Sequence, residues 1–189
     1  SNSVTPVAAG PPSVTSSTGK IWMDRNLGAS QVATSSTDAD SYGDLYQWGR
    51  GTDGHQSRTS ETTATLSSSD TPGDGFFITG SIDWRSSQND NLWQGVNGVN
   101  NPCPTGYRLP TETEWYEELL TWSDNNAAGA FASPLKLPMA GSRSNSNNGQ
   151  LYSVGTDGYY SSSTVDDNFS RNLYFWRRDA DMEYSFRAD

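Results

Sequence analysis

The chain has 189 residues, and 22 acidic against 12 basic side chains give it a formal net charge of −10. This length predicts one domain with one hydrophobic core. The negative charge argues against nucleic-acid binding, which requires a basic surface, and against contact with anionic membranes. No apolar run reaches the ~20 residues of a membrane span, so membrane insertion is not expected.

The N-terminal residues have the composition of a linker. Residues 1–18 (SNSVTPVAAGPPSVTSST) are rich in Ser, Thr and Pro and lack hydrophobic periodicity, which predicts a linker or tag. Residues 19–189 are predicted to form one folded domain. Ile21 and Trp22 begin its first predicted strand, and Asp44 to Trp48 is predicted as a short helix because apolar residues recur at i and i+3.

Polar loops are predicted to dominate the middle of the chain. Gly51 to Gly75 is rich in Thr, Ser, Asp and Gly, which indicates a long irregular insertion. Phe76 to Ile78 is predicted as a short strand, and Asp83 to Gly98 as an ordered loop.

A second helix is predicted from Glu112 to Trp122. Thr111 is placed to cap its N-terminus, and Glu114 three residues later completes a capping box. Its buried face is predicted to carry Trp115, Leu119 and Trp122. After Ala140, alternating residues between polar turns predict four short antiparallel strands: Leu151–Val154, Tyr159–Ser162, Asn172–Trp176 and Met182–Phe186.

The stretch CPTGYRLPTETEW, from Cys103 to Trp115, resembles the signature of a known family. It is similar to C-type-lectin-fold domains related to formylglycine-generating enzymes, and more closely to the Fibrobacter major paralogous domain group. Some members of that wider group are the variable proteins of diversity-generating retroelements. Other matching segments are IWMDRNLGA (21–29), YGDLYQWGR (42–50), NDNLWQGVNGVNNPCPTGYRLPTE (89–112), LKLPMAGSR (135–143) and GYYSSS (158–163).

The resemblance implies an α+β domain with a C-type lectin fold. Such a domain has two helices, a small twisted antiparallel sheet and long ordered loops, and its core here is expected to contain Trp22, Trp48, Trp115 and Trp122. The family's last strand resembles GFSVRC and carries a second cysteine. This chain reaches Asp189 where that strand would begin, so the domain is expected to lack it.

Catalytic chemistry has few candidates in this sequence. His55 is the only histidine and Cys103 the only cysteine, so a His/Cys metal site and a thiol-pair reaction are both disfavoured. His55 is expected to be exposed or packed in a loop, and Cys103 to be a buried small residue. The paired cysteines of the formylglycine-generating enzymes are missing, so no enzymatic activity is expected.

No cofactor is expected, although a structural calcium site stays open as an alternative. Two clusters offer the hard oxygen ligands that calcium prefers. They are Asn89, Asp90 and Asn91, and Asp166, Asp167 and Asn168. The EPN, QPD and WND motifs of calcium-dependent lectins are not found in the sequence.

The C-terminal segment has the composition of a binding surface. From Gly158 to Asp189 it is dense in Tyr, Ser, Asp, Asn and Arg, as paratopes are. The resemblance implies a variable region here, rewritten at adenine-containing codons. The predicted ligand-binding residues are Tyr160, Ser163, Asp166, Asp167, Asn168, Ser170, Asn172, Trp176, Arg177, Arg178, Asp179, Asp181, Met182, Glu183 and Tyr184. The alternative is an ordinary surface hairpin.

The sequence therefore predicts a non-enzymatic receptor or adhesin that displays a diversified C-terminal surface. Its expected partner is a protein or glycan on a target cell or virus, and its expected location is extracellular or at a cell or virion surface. A fixed adhesin or polysaccharide-binding module is the alternative. An oxidase of the formylglycine-generating type is a third and weaker one.

Overall fold

The computed structural model describes residues 10–189, so residues 1–9 of the predicted linker lie outside the described residues. Within that range the chain forms short strands and helices joined by long loops. The strands are β1 (Ser13–Thr15), β2 (Ile21–Met23), β3 (Thr62–Thr63), β4 (Phe77–Ile78), β5 (Ser142–Ser144), β6 (Gln150–Tyr152), β7 (Asp157–Asp166), β8 (Phe169–Trp176) and β9 (Ala180–Phe186). The α-helices are α1 (Glu112–Leu119) and α2 (Ala127–Ala132), and single 3-10 turns occur at Ala39–Ser41 and Asn145–Asn147.

The predicted α+β C-type lectin fold is wrong. Within residues 10–189 the strands form four separate sheets, of which β1–β2, β3–β4 and β5–β6 are pairs and β7–β8–β9 has three strands. The helices are only eight and six residues long. The first six strands have two or three residues each, too few to build one continuous sheet. The loops between them are rich in Ser, Thr, Asn and Asp, whose side chains bind nearby backbone instead.

Helix α1 forms where its capping signal predicts. The Thr111 hydroxyl accepts the Glu114 backbone N–H at 3.2 Å, and the Glu114 carboxylate accepts the Thr111 N–H at 2.9 Å. The capping box is thereby confirmed. The helix ends at Leu119, three residues before the predicted Trp122, which lies in the following turn.

The predicted helix from Asp44 to Trp48 is wrong. This segment is irregular because its backbone N–H groups bind distant carbonyls: Leu45 donates to Gln56 at 2.9 Å, and Trp48 donates to Arg187 at 3.0 Å. Helix α2 was not predicted. Its N-terminus is capped by the side chain of Asn126, which accepts the N–H of Ala128.

Part of the predicted linker is a strand. Ser13–Thr15 pairs antiparallel with Ile21–Met23, which confirms the strand predicted at Ile21. The next residue, Ser16, is buried, and its hydroxyl donates to the wholly buried carboxylate of Glu118 on α1 at 2.5 Å. The domain therefore begins before residue 19 in the structure.

The apolar residues form two clusters where the sequence predicted one core. The first lies between α1 and the three-stranded sheet and contains Trp115, Leu119, Leu173 and Phe175. The second joins loops and contains Trp48, Ile78, Trp84, Leu92, Trp93 and Ala188. Of the four tryptophans expected in the core, Trp48 and Trp115 are buried, whereas Trp22 and Trp122 are half-buried and pack beside the first cluster.

His55 is wholly buried in the loop region, so it packs there and is not exposed. Its Nδ1 lies 2.6 Å from Asp53 Oδ1, and its Nε2 accepts the Gln47 backbone N–H at 3.1 Å. Burial lowers the pKa of His55 below 6.5, an effect that its hydrogen bond with Asp53 only partly offsets. Burial favours the neutral form of Asp53, but the hydrogen bonds from His55 and Arg50 prevail and lower its pKa to about 2.

We expect the free energy of unfolding to decrease as the pH falls below 6.5, the ordinary pKa of histidine. Below that pH the unfolded chain binds a proton that folded His55 resists, so folding opposes protonation. The contribution of Asp53 is lost at lower pH, between 3.8 and about 2. Urea unfolding measured across this range should show the loss of stability below pH 6.5 in the parent protein and not in His55→Gln. His55 is the only histidine, so a flat profile between about pH 7 and about pH 5 would contradict its burial as a neutral group.

Candidate ligand-binding surface

The C-terminal segment forms the largest sheet among the described residues. The four strands predicted after Ala140 are present as β6 to β9, and the last three are longer than predicted. β8 pairs with β9 so that Arg171 lies opposite Tyr184 and Leu173 opposite Met182. Because side chains alternate along a strand, these residues share the face that packs on α1, and Ser170 and Asn172 belong to the other face.

The structure divides the predicted ligand-binding residues into three groups. The exposed members are Asp166, Asp167, Arg177, Arg178, Asp179, Asp181, Glu183 and Tyr184. The half-buried members are Tyr160, Asn168, Trp176 and Met182. The buried members are Ser163, Ser170 and Asn172, with 4%, 4% and 3% of their surface exposed.

For Ser163, Ser170 and Asn172 the prediction of an exposed position is wrong. Ser163 is covered by the chain before α1, since its backbone N–H donates to the Pro110 carbonyl at 2.7 Å. Ser170 and Asn172 are buried on the face of the sheet turned away from α1, where both side chains hydrogen-bond with Ser185. Tyr160 also points inward, and its ring lies 5.8 Å from that of Trp115.

An aromatic platform occupies the end of the sheet near the β7–β8 turn. We define it as Phe169, Arg171, Tyr184 and Phe186. The Phe169 ring stacks on Phe186 at 5.3 Å and meets Tyr184 edge to face at 5.9 Å. Tyr184 remains 56% exposed and Phe169 36% exposed, so the platform presents apolar surface to solvent.

Arg171 is held firmly within the aromatic platform. Its guanidinium lies 3.7 Å from the centre of the Tyr184 ring, and its Nη2 pairs with Glu112 Oε1 at 2.6 Å. Burial disfavours the charged guanidinium, but the hydrogen bond and charge of Glu112 prevail and raise the pKa of Arg171. Among the described residues its Nη1 has no hydrogen-bond partner. This nitrogen is buried, so the exposed part of the platform is formed by the Tyr184 and Phe169 rings.

The hairpin tip, defined as Trp176 to Asp179, lies at the opposite end of the sheet. Trp176 donates its backbone N–H to the Asp179 carbonyl at 2.9 Å, which closes a tight turn through Arg177 and Arg178. The Arg178 guanidinium lies 5.7 Å from the Trp176 ring. The predicted residues thus form separate exposed patches at opposite ends of the sheet, and not one continuous face.

Phe169, Arg171 and Phe186 were missed by sequence reasoning. A signal for them exists, because Phe169 and Arg171 alternate with Ser170 and Asn172 and so occupy the opposite face. Tyr184 and Phe186 show the same spacing on β9. An alternation rule applied to both strands selects the aromatic platform, whereas composition alone does not.

The candidate calcium clusters serve other contacts in the structure. Asn89 donates to Asp70 Oδ1 at 3.0 Å, and Asp90 Oδ1 pairs with Arg187 Nη2 at 2.7 Å. Asp167 and Asn168 form the β7–β8 turn, where Asp167 has a φ of 52°. Within the described part of the chain, no group of three or more His, Cys, Asp or Glu side chains is arranged to hold a metal.

Cys103 is half-buried and forms no disulfide in the structure. Burial raises the pKa of its thiol to about 11, so the thiol is protonated near neutral pH. A protonated thiol is a weak nucleophile, which makes Cys103 a poor candidate for catalysis.

Comparison with family models, curated proteins and solved structures found no match to this chain. The resemblance based on Cys103 to Trp115 therefore stays a prediction. Between residues 10 and 189 there is no helix whose length and apolarity would allow it to cross a bilayer.

Proposed function

We propose that this protein is a non-enzymatic ligand-binding protein of the receptor or adhesin type, displayed at a cell or virion surface. Its macromolecular ligand contacts the aromatic platform, with the hairpin tip as a second patch. The observation that supports this proposal most strongly is the exposed Tyr184 ring with the Arg171 guanidinium stacked 3.7 Å from its centre.

The chemistry of the aromatic platform suits recognition of another macromolecule. Tyr, Trp and Arg dominate the residues that contribute most binding energy at protein interfaces. Arg171 is already ordered by Glu112 and Tyr184, so little side-chain entropy remains to be lost on binding. The ligand would meet a rigid aromatic surface that Arg171 holds in place from beneath Tyr184.

We further propose that the exposed residues are diversified, as in the variable proteins of diversity-generating retroelements. The burial of residues along this segment supports this because it separates two duties. Leu173, Phe175 and Ala180 are almost completely buried in the first cluster, whereas Arg177 and Tyr184 are exposed. Exposed positions usually tolerate substitution within ~0.5 kcal/mol of stability, so such a surface can vary while the sheet remains folded.

Sequencing of the region that encodes Gly158 to Asp189 across a source population tests this proposal. Adenine-dependent substitutions should concentrate at the exposed and half-buried members of the predicted set, with Tyr184 and Trp176 among them. Ser163, Ser170 and Asn172 should stay constant because they are buried. Constancy of the whole region would instead support a fixed adhesin or polysaccharide-binding module, and substitutions spread evenly over buried and exposed positions would contradict both.

Replacement of Tyr184 or Trp176 by alanine should change the free energy of unfolding by no more than about 1 kcal/mol, because neither side chain is buried. Phe175→Ala, next to Trp176 on the opposite face of β8, is the matched control and should cost ~3–5 kcal/mol because Phe175 is wholly buried. Chemical denaturation of the three variants measures this contrast. A large loss in Tyr184→Ala would make that residue part of the core and remove the centre of the proposed surface.

A further inference from the structure

An open groove lies between the C-terminal end of α1 and the start of β9, at the end of the sheet opposite the aromatic platform. We call it the α1 groove and define it by five residues that line it: Tyr116, Leu120, Trp122, Asn125 and Asp179. Asp179 also belongs to the hairpin tip. The α1 groove is therefore continuous with the second patch that we propose for the macromolecular ligand.

The floor of the α1 groove is apolar and open to solvent. Leu120 is 66% exposed and Tyr116 is 48% exposed. The two residues are four positions apart at the end of α1, so their side chains lie next to each other. Trp122, in the turn that follows, is half-buried beside the first cluster. Apolar side chains that are exposed together in this way are typical of surfaces that contact another molecule.

One carboxylate at the rim of the α1 groove is held in a fixed orientation. Asp179 Oδ1 accepts the side-chain amide of Asn125 at 3.1 Å and the backbone N–H of Ala180 at 2.9 Å. Asp179 is exposed, and among the described residues no group donates a hydrogen bond to its Oδ2. A ligand can therefore reach an oriented acceptor without displacing a protein donor.

No basic side chain of the described chain neutralises this end of the α1 groove. Asp179 is in none of the ion pairs within residues 10–189. The guanidinium of its neighbour Arg178 lies 5.7 Å from the centre of the Trp176 ring. The last turn of α1 has no basic residue, although the C-terminal end of a helix favours cations. The net charge of −10 strengthens the negative potential and disfavours an anionic ligand.

A basic side chain matches both the floor and the rim of the α1 groove. Lys and Arg bury their alkyl stems along apolar surface while the charged head remains in water. In this groove the stem would pack on Leu120 and Tyr116, and the head would donate to Asp179 Oδ2. A hydrogen bond between two charged groups is stronger than one to a neutral hydroxyl, so a cation is favoured over a neutral head group.

We propose that the α1 groove receives a basic side chain, arginine or lysine, from a protein ligand. This inference rests on the proposed function, because it identifies the macromolecule that meets the hairpin tip as a protein and not a glycan. It also divides the groove into two parts. Asp179 is among the predicted ligand-binding residues, whereas Leu120 and Tyr116 are not. Variation at residue 179 would therefore change the head group that is accepted while the apolar floor stays constant.

Titration of isotope-labelled protein with n-butylguanidinium chloride, followed by nuclear magnetic resonance, tests this inference with a probe that mimics an arginine side chain. The backbone amide signals of Leu120, Trp122 and Ala180 should shift and reach saturation. N-butylurea has a similar shape but no charge. It should bind about two- to fivefold more weakly, because an exposed ion pair contributes an effect of that size.

Three variants separate the contributions of charge and apolar contact. Asp179→Asn should remove the difference between the two probes, because the rim then carries no charge. Leu120→Ser should weaken the binding of both probes alike, since the stem loses apolar contact. Glu183→Gln is the matched control for the lost charge: Glu183 is an exposed acid outside the groove and lies opposite Asn172 in the strand register. This variant should bind both probes as the parent does.

Three results would overturn the inference. The first is the absence of a saturable shift with either probe. The second is equal binding of both probes to the parent, as expected of a groove that accepts a neutral partner such as a glycan. The third is the same loss of affinity in Asp179→Asn and Glu183→Gln, since the probe would then respond to net charge alone. Sequencing of the C-terminal region is independent of these results: diversification found there would support the proposed function even if the α1 groove bound neither probe.

Discussion

Replacing Trp115 with alanine should lower the free energy of unfolding by ~3–5 kcal/mol, as large-to-small changes in cores do. Trp115 is 5% exposed and lies at the centre of the first cluster, with the Trp22 ring 4.7 Å away. Its indole N–H also donates to the Ser161 carbonyl at 3.0 Å. The alanine variant therefore loses packing between α1 and β2 and leaves a β7 carbonyl without that donor.

Urea unfolding of Trp115→Ala and of Tyr116→Ala gives the test with a matched control. Tyr116 is the next residue on α1 and is 48% exposed, so its truncation should cost far less. Both variants keep the capping box of the helix. Similar stabilities of the two variants would show that α1 does not bury the face that carries Trp115.

Replacing Gly158 with alanine should destabilise the protein by ~1–3 kcal/mol or more through overpacking. Gly158 is buried on β7, opposite Phe175 on β8. An added Cβ would lie 2.6 and 2.7 Å from two carbons of the Phe175 ring and closer still to Cζ. Phe175 is wholly buried and has little room to move, so the sheet itself would have to shift.

Gly73→Ala is the control for this second variant. A Cβ at Gly73 would meet no atom within 4 Å, so the substitution should change stability by no more than ~0.5 kcal/mol. Thermal or chemical unfolding of both variants compares the same chemical change in packed and open surroundings. Equal stability of the two would mean that the Phe175 ring is not fixed against β7.

Features set by local sequence were predictable. The capping box of α1 depends on two residues three positions apart, and β7 to β9 show short alternating stretches between polar turns. Such patterns need no knowledge of the rest of the chain. They fail at residues 44–48, where the backbone of Trp48 binds Arg187, because a partner so distant in sequence leaves no local mark.

The candidate site was predictable in its position along the chain but not in its orientation. Composition pointed to the C-terminal segment, yet it grouped buried Ser170 and Asn172 with exposed Tyr184. Those two residues lie on the other face of the sheet, which is also covered, a fact that depends on tertiary packing. Phe169 and Arg171 join Tyr184 in the aromatic platform on the face that packs on α1, and residue types alone did not reveal this.

Hydrogen bonds between residues far apart in sequence also affect how fast the protein reaches its native state. Gln47 donates through Nε2 to the Ala188 carbonyl at 2.7 Å, across a separation of 141 residues. Ser16 and Glu118 are joined across 102 residues. Chains dominated by such distant pairs must close large loops before any contact compensates the lost entropy. Refolding is therefore expected on the slow, millisecond-to-second scale. Much of the chain stays exposed to aggregation until the partners in each of these two pairs meet.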